Sequence, residues 1–129
     1  MNDKSNELEA AIVAALSGGL AGAEVFRCGD MGVNPDDTPG GVWVEAKGEE
    51  PMCRRQKLSV TYYIRTHIDQ DPKREWLDDI SAALRSAAPE MEFPGLPDAA
   101  ILPVSSGDYS IDERFQVQTY NQTIHIREV

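Results

Sequence analysis

The segment from Arg114 to Arg127 reads RFQVQTYNQTIHIR and contains no Gly or Pro that would interrupt a strand. Its β-branched and aromatic residues favour one long β-strand. The apolar positions form two sets of opposite phase, which are Phe115 and Val117 and then Tyr120, Ile124 and Ile126. Since strand side chains alternate between faces, this slip predicts a β-bulge between Gln118 and Asn121. The alternative is a strand that is buried on both faces at different points.

The most regular strand pattern follows the basic sequence Arg54-Arg55-Gln56-Lys57. Apolar and polar residues alternate here almost without error, which is typical of a strand with one buried face. We expect the apolar face to pack on helices and the other face to contact water or a partner. The first face has Leu58, Val60, Tyr62, Ile64 and Ile68, and the second has Ser59, Thr61, Tyr63, Arg65 and His67.

Two helices are predicted from apolar residues at helical spacing. The first covers Ser5 to Leu16 and ends before Gly18 and Gly19. The second follows Asp71, which would cap it, with Pro72 at the first helical position and Pro89 at its end. Weaker strand signals cover 24–27, 42–46 and 100–105, and two strand signals lie back to back between 105 and 129.

The resulting order is helix, strand, strand, strand, helix, strand, strand. This order predicts an α+β fold, with a mainly antiparallel sheet of about five strands and two helices packed on one face. The chain has 129 residues, which fits a single domain over 1–129. The Gly-, Pro- and Asp-rich segment 29–40 and the segment 47–53 are predicted to be exposed loops.

The charge and the composition limit the classes of function. A formal net charge of −10 repels phosphate backbones, so DNA is expected only as passing cargo. No apolar run is long enough to span a membrane, and no signal peptide is visible, so we expect synthesis in a cytoplasm. In that compartment Cys28 and Cys53 are expected to be free thiols.

Motifs for phosphate cradles, nucleophile elbows and zinc helices do not occur in the sequence. His67, His125 and Asp69 could ligate a metal if their strands paired suitably, although histidines at a surface or an interface are the ordinary interpretation. Cys53 could act as a nucleophile with a histidine base, but only Arg54 and Arg55 would depress its pKa. We therefore predict no catalytic residue, no metal and no cofactor.

One concentrated basic patch suggests contact with another protein. It consists of Arg54, Arg55 and Lys57 and either faces water or contacts an acidic partner. A second copy of the chain could supply that partner, because unlike patches that pair head to tail generate rings or filaments. The acidic loop residues that could take part are Asp36, Asp37, Glu45, Glu49 and Glu50.

Aromatic residues could anchor the same contact. Trp43 and Tyr63 are predicted to lie on the face away from Val44 and Tyr62, although Trp43 could also be buried under a loop. Arg65 shares this face. We predict an interface for subunit or tube contacts that consists of Trp43, Glu45, Glu49, Glu50, Arg54, Arg55, Lys57, Tyr63 and Arg65.

The order of elements over nearly the whole chain, with the blocks Gln56–Arg65 and Asp112–Ile126, resembles the tail-terminator and minor-capsid proteins of long-tailed bacteriophages. The resemblance implies a small α/β fold that assembles as a six-membered ring, caps the tail tube and faces the head connector. It implies no enzymatic activity and no cofactor. The implied partners are other copies of the chain, the tail-tube protein and the head-completion protein, and the implied location is the head–tail junction of the virion.

Three alternatives remain open at this stage. Related connector and tail-tube proteins have similar small folds. A non-enzymatic adaptor module could instead bind one protein partner through the exposed sheet face around Trp43 and Tyr63. A metal-dependent or thiol enzyme would use His67, His125 or Cys53.

Overall fold

The computed structural model describes residues 4–20, 22–28, 40–49, 55–96 and 98–127. Within these ranges the chain forms two α-helices, a short 3₁₀ helix and six strands. The elements are α1 (Ser5–Leu16), β1 (Val25–Arg27), β2 (Gly40–Gly48), β3 (Arg55–His67), α2 (Glu75–Ala87), the 3₁₀ helix Ala88–Glu90, β4 (Ala100–Ile101), β5 (Ser105–Asp112) and β6 (Phe115–Arg127).

The six strands form one sheet in the order β1-β2-β3-β6-β4, and β5 pairs with the first half of β6, on the same edge as β4. Only the β1–β2 pair is parallel. Side chains of α1 and α2 join one hydrophobic core on the same side of the sheet. The predicted α+β fold, with a mainly antiparallel sheet and two helices on one face, is therefore confirmed. The strand missing from the predicted order is β5, whose sequence SSGDYSID has few apolar residues.

The centre of the sheet is the antiparallel pair β3–β6. Each strand has 13 residues, and the pairing runs without interruption from Arg55 opposite Arg127 to His67 opposite Phe115. The even-numbered residues of β3 point to the helices, and Leu58 and Tyr62 have no exposed surface. The alternation predicted for this strand is thus confirmed. We call the opposite side of the sheet, where the odd-numbered residues of β2, β3 and β6 lie, the open face.

The phase slip of β6 has a different cause from the predicted bulge. Its pairing with β3 is regular throughout, so the bulge between Gln118 and Asn121 was wrong. Phe115 is buried on the open face, whereas Tyr120 and the isoleucines after it are buried on the helix side. The alternative, a strand buried on both faces, is confirmed. The irregular residue lies in the neighbouring strand β5, between Ser106 and Tyr109.

Two glutamines occupy core positions of β6 and explain its polar appearance. Gln116 and Gln122 are 2% and 3% exposed. The Gln122 amide donates to the backbone carbonyls of Ala88 and Leu102, and its Oε1 accepts from the Tyr62 hydroxyl. Burying an amide is tolerated when its hydrogen bonds are satisfied in this way.

The helix boundaries differ in one place from those predicted. α1 covers Ser5 to Leu16 as expected, with Lys4 in the cap position and Gly18 in a left-handed conformation after its end. α2 begins at Glu75, three residues after the predicted first position Pro72. Asp71 still caps the helix, because its carboxylate accepts from the backbone N–H groups of Trp76 and Leu77 at 2.9 Å each. Pro72 lies in the turn before the helix.

The predicted loops fall largely outside the described residues, which omit 29–39 and 50–54. The predicted strand at 42–46 is longer, and the one at 100–105 stops at Ile101 because Pro103 follows. In the described ranges, neither helix combines the length and the apolar character that crossing a lipid bilayer requires.

Candidate interface on the open face of the sheet

The open face brings most of the predicted interface residues together. The register places Trp43 directly opposite Tyr63, and Glu45 opposite Thr61. Arg55 and Lys57 lie on the same face near the other end of β3. Of the remaining predicted residues, Glu49 follows β2 and Arg65 lies on the open face, whereas Glu50 and Arg54 lie outside the described residues, as do Asp36 and Asp37.

Three aromatic rings form a cluster at the middle of this face. The ring centroids of Phe26 and Trp43 are 5.1 Å apart, and Tyr63 is the cross-strand neighbour of Trp43. Gly41 makes room for this arrangement, because a Cβ there would lie 3.0 Å from the Phe26 ring and 3.2 Å from the Trp43 ring. All three rings are half-buried, and the segments predicted as loops lie mostly outside the described residues.

The hydroxyl of Tyr63 is partly withdrawn from water. Burial raises its pKa, and the neighbouring Glu45 carboxylate raises it further through its charge and a hydrogen bond. Tyr63 is therefore a neutral hydrogen-bond donor at physiological pH. A half-buried ring with one polar group is the kind of side chain that anchors protein interfaces.

Arg65 was predicted to contact a partner, but in the free chain it covers an aromatic ring. Its guanidinium carbon lies 3.8 Å from the centroid of the Phe115 ring, and His67 meets the same ring edge-on at 5.3 Å. Phe115 was not among the predicted site residues. The sequence signal for Phe115 was its position in the apolar pattern of β6, because it falls on the opposite face from the later apolar residues of that strand.

The basic end of the open face is defined by Arg55, Lys57, His125 and Arg127. Arg55 pairs with Arg127 across the strands, and Lys57 pairs with His125. Like charges placed directly opposite each other destabilise a sheet, so this end gains from an anionic partner. Within the described ranges, neither Arg55 nor Arg127 makes an ion pair.

One of the acids predicted to meet the basic patch from another copy lies beside it in the same chain. The Glu49 carboxylate is 3.8 Å from the Lys57 ammonium. The Glu45 carboxylate is 3.6 Å from the ammonium of Lys47, which is not part of the patch. Both pairs are at the surface and contribute little to stability.

A shallow groove of about 330 Å³ lies on the sheet between β4 and β5, next to the basic end. Polar side chains dominate its lining, and Leu102, which is 44% exposed, forms its apolar wall. The residues around it are Ser59, Val60, Leu102, Pro103, Ser105, Asn121, Gln122 and Thr123.

The turn of the β5–β6 hairpin lies at the opposite end of the sheet from the basic end. Nearly all of β5 is exposed, including Ile111 at 63%. Glu113, in the turn, has a φ of 54°, a left-handed conformation that usually selects Gly or Asn. Tyr109 fixes the hairpin to the helix layer, because its hydroxyl donates to Gln116 at 2.8 Å and the Arg74 guanidinium stacks on its ring at 3.9 Å.

A buried carboxylate on α1 was missed by the sequence analysis. It belongs to Glu9, which is 8% exposed. It accepts from the Arg27 side chain at 2.8 Å and from the Ala46 backbone at 3.1 Å, which fastens α1 to β1 and β2. Cys28 lies beside this pair, and burial, followed by the charges of Glu45 and Glu9, raises the pKa of its thiol. A raised pKa lowers the reactive thiolate fraction.

The two histidines that were considered as metal ligands do not come together. His125 pairs with Lys57 and His67 pairs with Phe115, so the two imidazoles are ten residues apart along β3, about 33 Å. Asp69 does lie near His67, with its carboxylate 3.7 Å from Nδ1. In the part of the chain that the structure describes, no group of three His, Cys, Asp or Glu residues could hold a metal ion. Cys53 lies outside the described residues.

Comparisons with known proteins identify a fold but no family. No family model matches the chain, and no curated protein matches it. Solved structures do match it. One of them, a chain that carries a sequence identifier in place of a functional name, superposes with a TM-score of 0.67, covers 96% of each chain and is 14% identical in sequence. At that identity the likeness establishes the shared fold alone.

Proposed function

We propose that this protein is a structural virion protein at the head–tail joint of a long-tailed bacteriophage, where it acts as a tail terminator. Six copies would form a ring that caps the finished tail tube and joins it to the head connector. The proposal is supported by the order of elements, which resembles that family, and by the α+β architecture that the resemblance implies.

The uncovered face of the sheet carries the proposal. Both helices pack on the other side, so the 13-residue β3–β6 pair leaves a broad surface without a covering element among the described residues. This surface combines the aromatic cluster with a basic end, which is the composition expected of a protein contact. A net charge of −10 also suits a ring through which DNA passes without binding.

Electron microscopy of the purified protein, alone and with the tail-tube protein, tests the proposal. We expect annular particles whose mass is a multiple of 14.2 kDa, and we expect added protein to stop the growth of tail tubes. A chain that forms no ring in either sample and leaves tube length unchanged would refute the assignment. A tail-tube gene next to the gene for this chain would support it independently.

The aromatic cluster also favours a second candidate, a monomeric adaptor that binds one protein partner through Phe26, Trp43 and Tyr63. In that case the chain would stay monomeric at all concentrations, and replacing Trp43 by Ala would remove binding of a single partner from outside the virion. The matched control is Val117→Ala, which shortens a half-buried apolar side chain elsewhere on the open face.

A further inference from the structure

The contact described in this section rests on the proposed function, in which copies of the chain form a ring, and it would join neighbouring copies. We propose that the tip of the β5–β6 hairpin of one copy docks against the basic end of the open face of the next copy. The hairpin contributes Ile111, Asp112 and Glu113. The receiving surface is the groove beside Leu102 together with Arg55, Lys57, His125 and Arg127.

Charge complementarity supports this pairing. β5 and the turn after it, residues 105–114, contain three acids, Asp108, Asp112 and Glu113, and a single base, Arg114. Among the described residues, none of these three acids makes an ion pair within its own chain. Among the described residues the receiving end has the opposite excess, since the ion pair made there joins Lys57 to Glu49 and leaves Arg55 and Arg127 without one.

The exposed apolar residues lie on the same two surfaces. In the described ranges, three large hydrophobic side chains are exposed, namely Leu102, Tyr109 and Ile111. Tyr109 and Ile111 belong to the hairpin, and Leu102 lines the groove. A contact between the two surfaces would remove Ile111 and Leu102 from water together.

The spacing of the groups agrees with a single docked segment. Lys57 and His125 lie two residues along their strands from Ser59 and Thr123 in the groove, about 7 Å. Glu113 follows Ile111 by the same two residues. When Ile111 occupies the groove, Asp112 and Glu113 therefore lie at the same distance along the strands as Lys57 and His125.

The contact must join different copies. The hairpin tip begins where His67 pairs with Phe115, whereas the groove lies where Ser59 pairs with Thr123. These positions are eight residues apart along β3, about 26 Å, so the tip is remote from the groove of its own chain. A contact between unlike surfaces of this kind generates a ring or a filament.

Charge reversal with complementation tests the contact. One protein carries Arg55→Glu with Arg127→Glu, and the other carries Asp112→Lys with Glu113→Lys. Each alone would bring like charges together, so we expect its half-assembly concentration, measured by sedimentation velocity, to rise at least about tenfold. An equimolar mixture restores opposite charges at every contact, and we expect it to assemble like the wild type.

Circular dichroism and thermal melting first establish that each variant is folded. Asp79→Lys with Glu90→Lys is the matched control, because it reverses two exposed acids outside the hairpin and should leave assembly unchanged. Glu45→Lys with Glu49→Lys tests the acids originally predicted as partners, and we expect a smaller effect than at the hairpin tip.

The outcomes separate this contact from the function on which it rests. A mixture that stays monomeric, or a hairpin variant that assembles like the wild type while the wild type forms rings, would overturn the contact and leave the assembly in place. A wild-type chain that remains monomeric at millimolar concentration and beside tail tubes would overturn both.

Discussion

Replacing Tyr62 by Phe should destabilise the protein although it removes only one oxygen atom. Tyr62 has no exposed surface, and its hydroxyl donates to Gln122 Oε1 inside the core. The variant leaves that buried carbonyl without the donor, which costs about 1–2 kcal/mol of unfolding free energy. The matched control is Tyr63→Phe on the open face, where water can replace the lost group and the change should stay below about 0.5 kcal/mol.

The same residue should make the wild type sensitive to alkali. Burial raises the pKa of Tyr62 well above its usual range. The folded state therefore holds the phenolic proton at pH values where the unfolded state, with a pKa near 10, has lost it. The unfolded chain binds fewer protons in this range, so stability falls as the pH rises above about 10, by up to about 1.4 kcal/mol per pH unit.

Urea denaturation at pH 7 and at several values above pH 10 measures both effects. At pH 7 the Tyr62→Phe protein should unfold at a lower urea concentration than the wild type, and the slope of unfolding free energy against urea concentration should be unchanged. Above pH 10 the difference between the two proteins should narrow, because the variant has no Tyr62 proton to lose. Equal stability of the Tyr62→Phe and Tyr63→Phe proteins would refute the reasoning. So would a difference in unfolding free energy between the wild type and Tyr62→Phe that did not change with pH.

Two further predictions concern the elements around the hairpin. Asp71→Ala leaves two backbone N–H groups at the start of α2 without an acceptor and should cost about 2–3 kcal/mol in urea denaturation, whereas Asp69→Ala at the exposed neighbour should cost almost nothing. Gly107→Ala places a Cβ against the Thr119 hydroxyl, which is hydrogen-bonded to the backbone of β5, and should lower the free energy of unfolding by about 1–3 kcal/mol. Gly95→Ala is the control, because Gly95 has open space around it and the substitution should leave stability unchanged.

The elements that could be predicted from the sequence are those in which the apolar residues are buried and the polar residues are exposed. The alternation of Leu58 to Ile64 identified β3 and assigned Tyr63 to the open face correctly. β5 was missing from the predicted order, although a strand signal lies in its segment, because its few apolar residues give that signal no clear periodicity. α2 was predicted to start too early because Asp71 caps it across an intervening turn instead of from the adjacent position.

Other features depend on contacts between distant parts of the chain. The burial of Gln122 could not be predicted from its polar side chain, because the hydroxyl of Tyr62 and two backbone carbonyls satisfy its hydrogen bonds in the core. Glu9 is buried only because Arg27 and Ala46 approach it from β1 and β2. The basic end required the register of β3 and β6, since Arg55 and Arg127 are far apart in sequence.

The outer side of β5 has practical consequences for handling the protein. Within the described ranges β5 pairs with β6 alone, and an unpaired strand edge can template further strands from any chain with matching backbone groups. Asp108 and Asp112 oppose this stacking by charge repulsion between identical molecules. Variants that lose these two charges should therefore form fibrous precipitates, and storage at modest ionic strength should keep the protein dispersed.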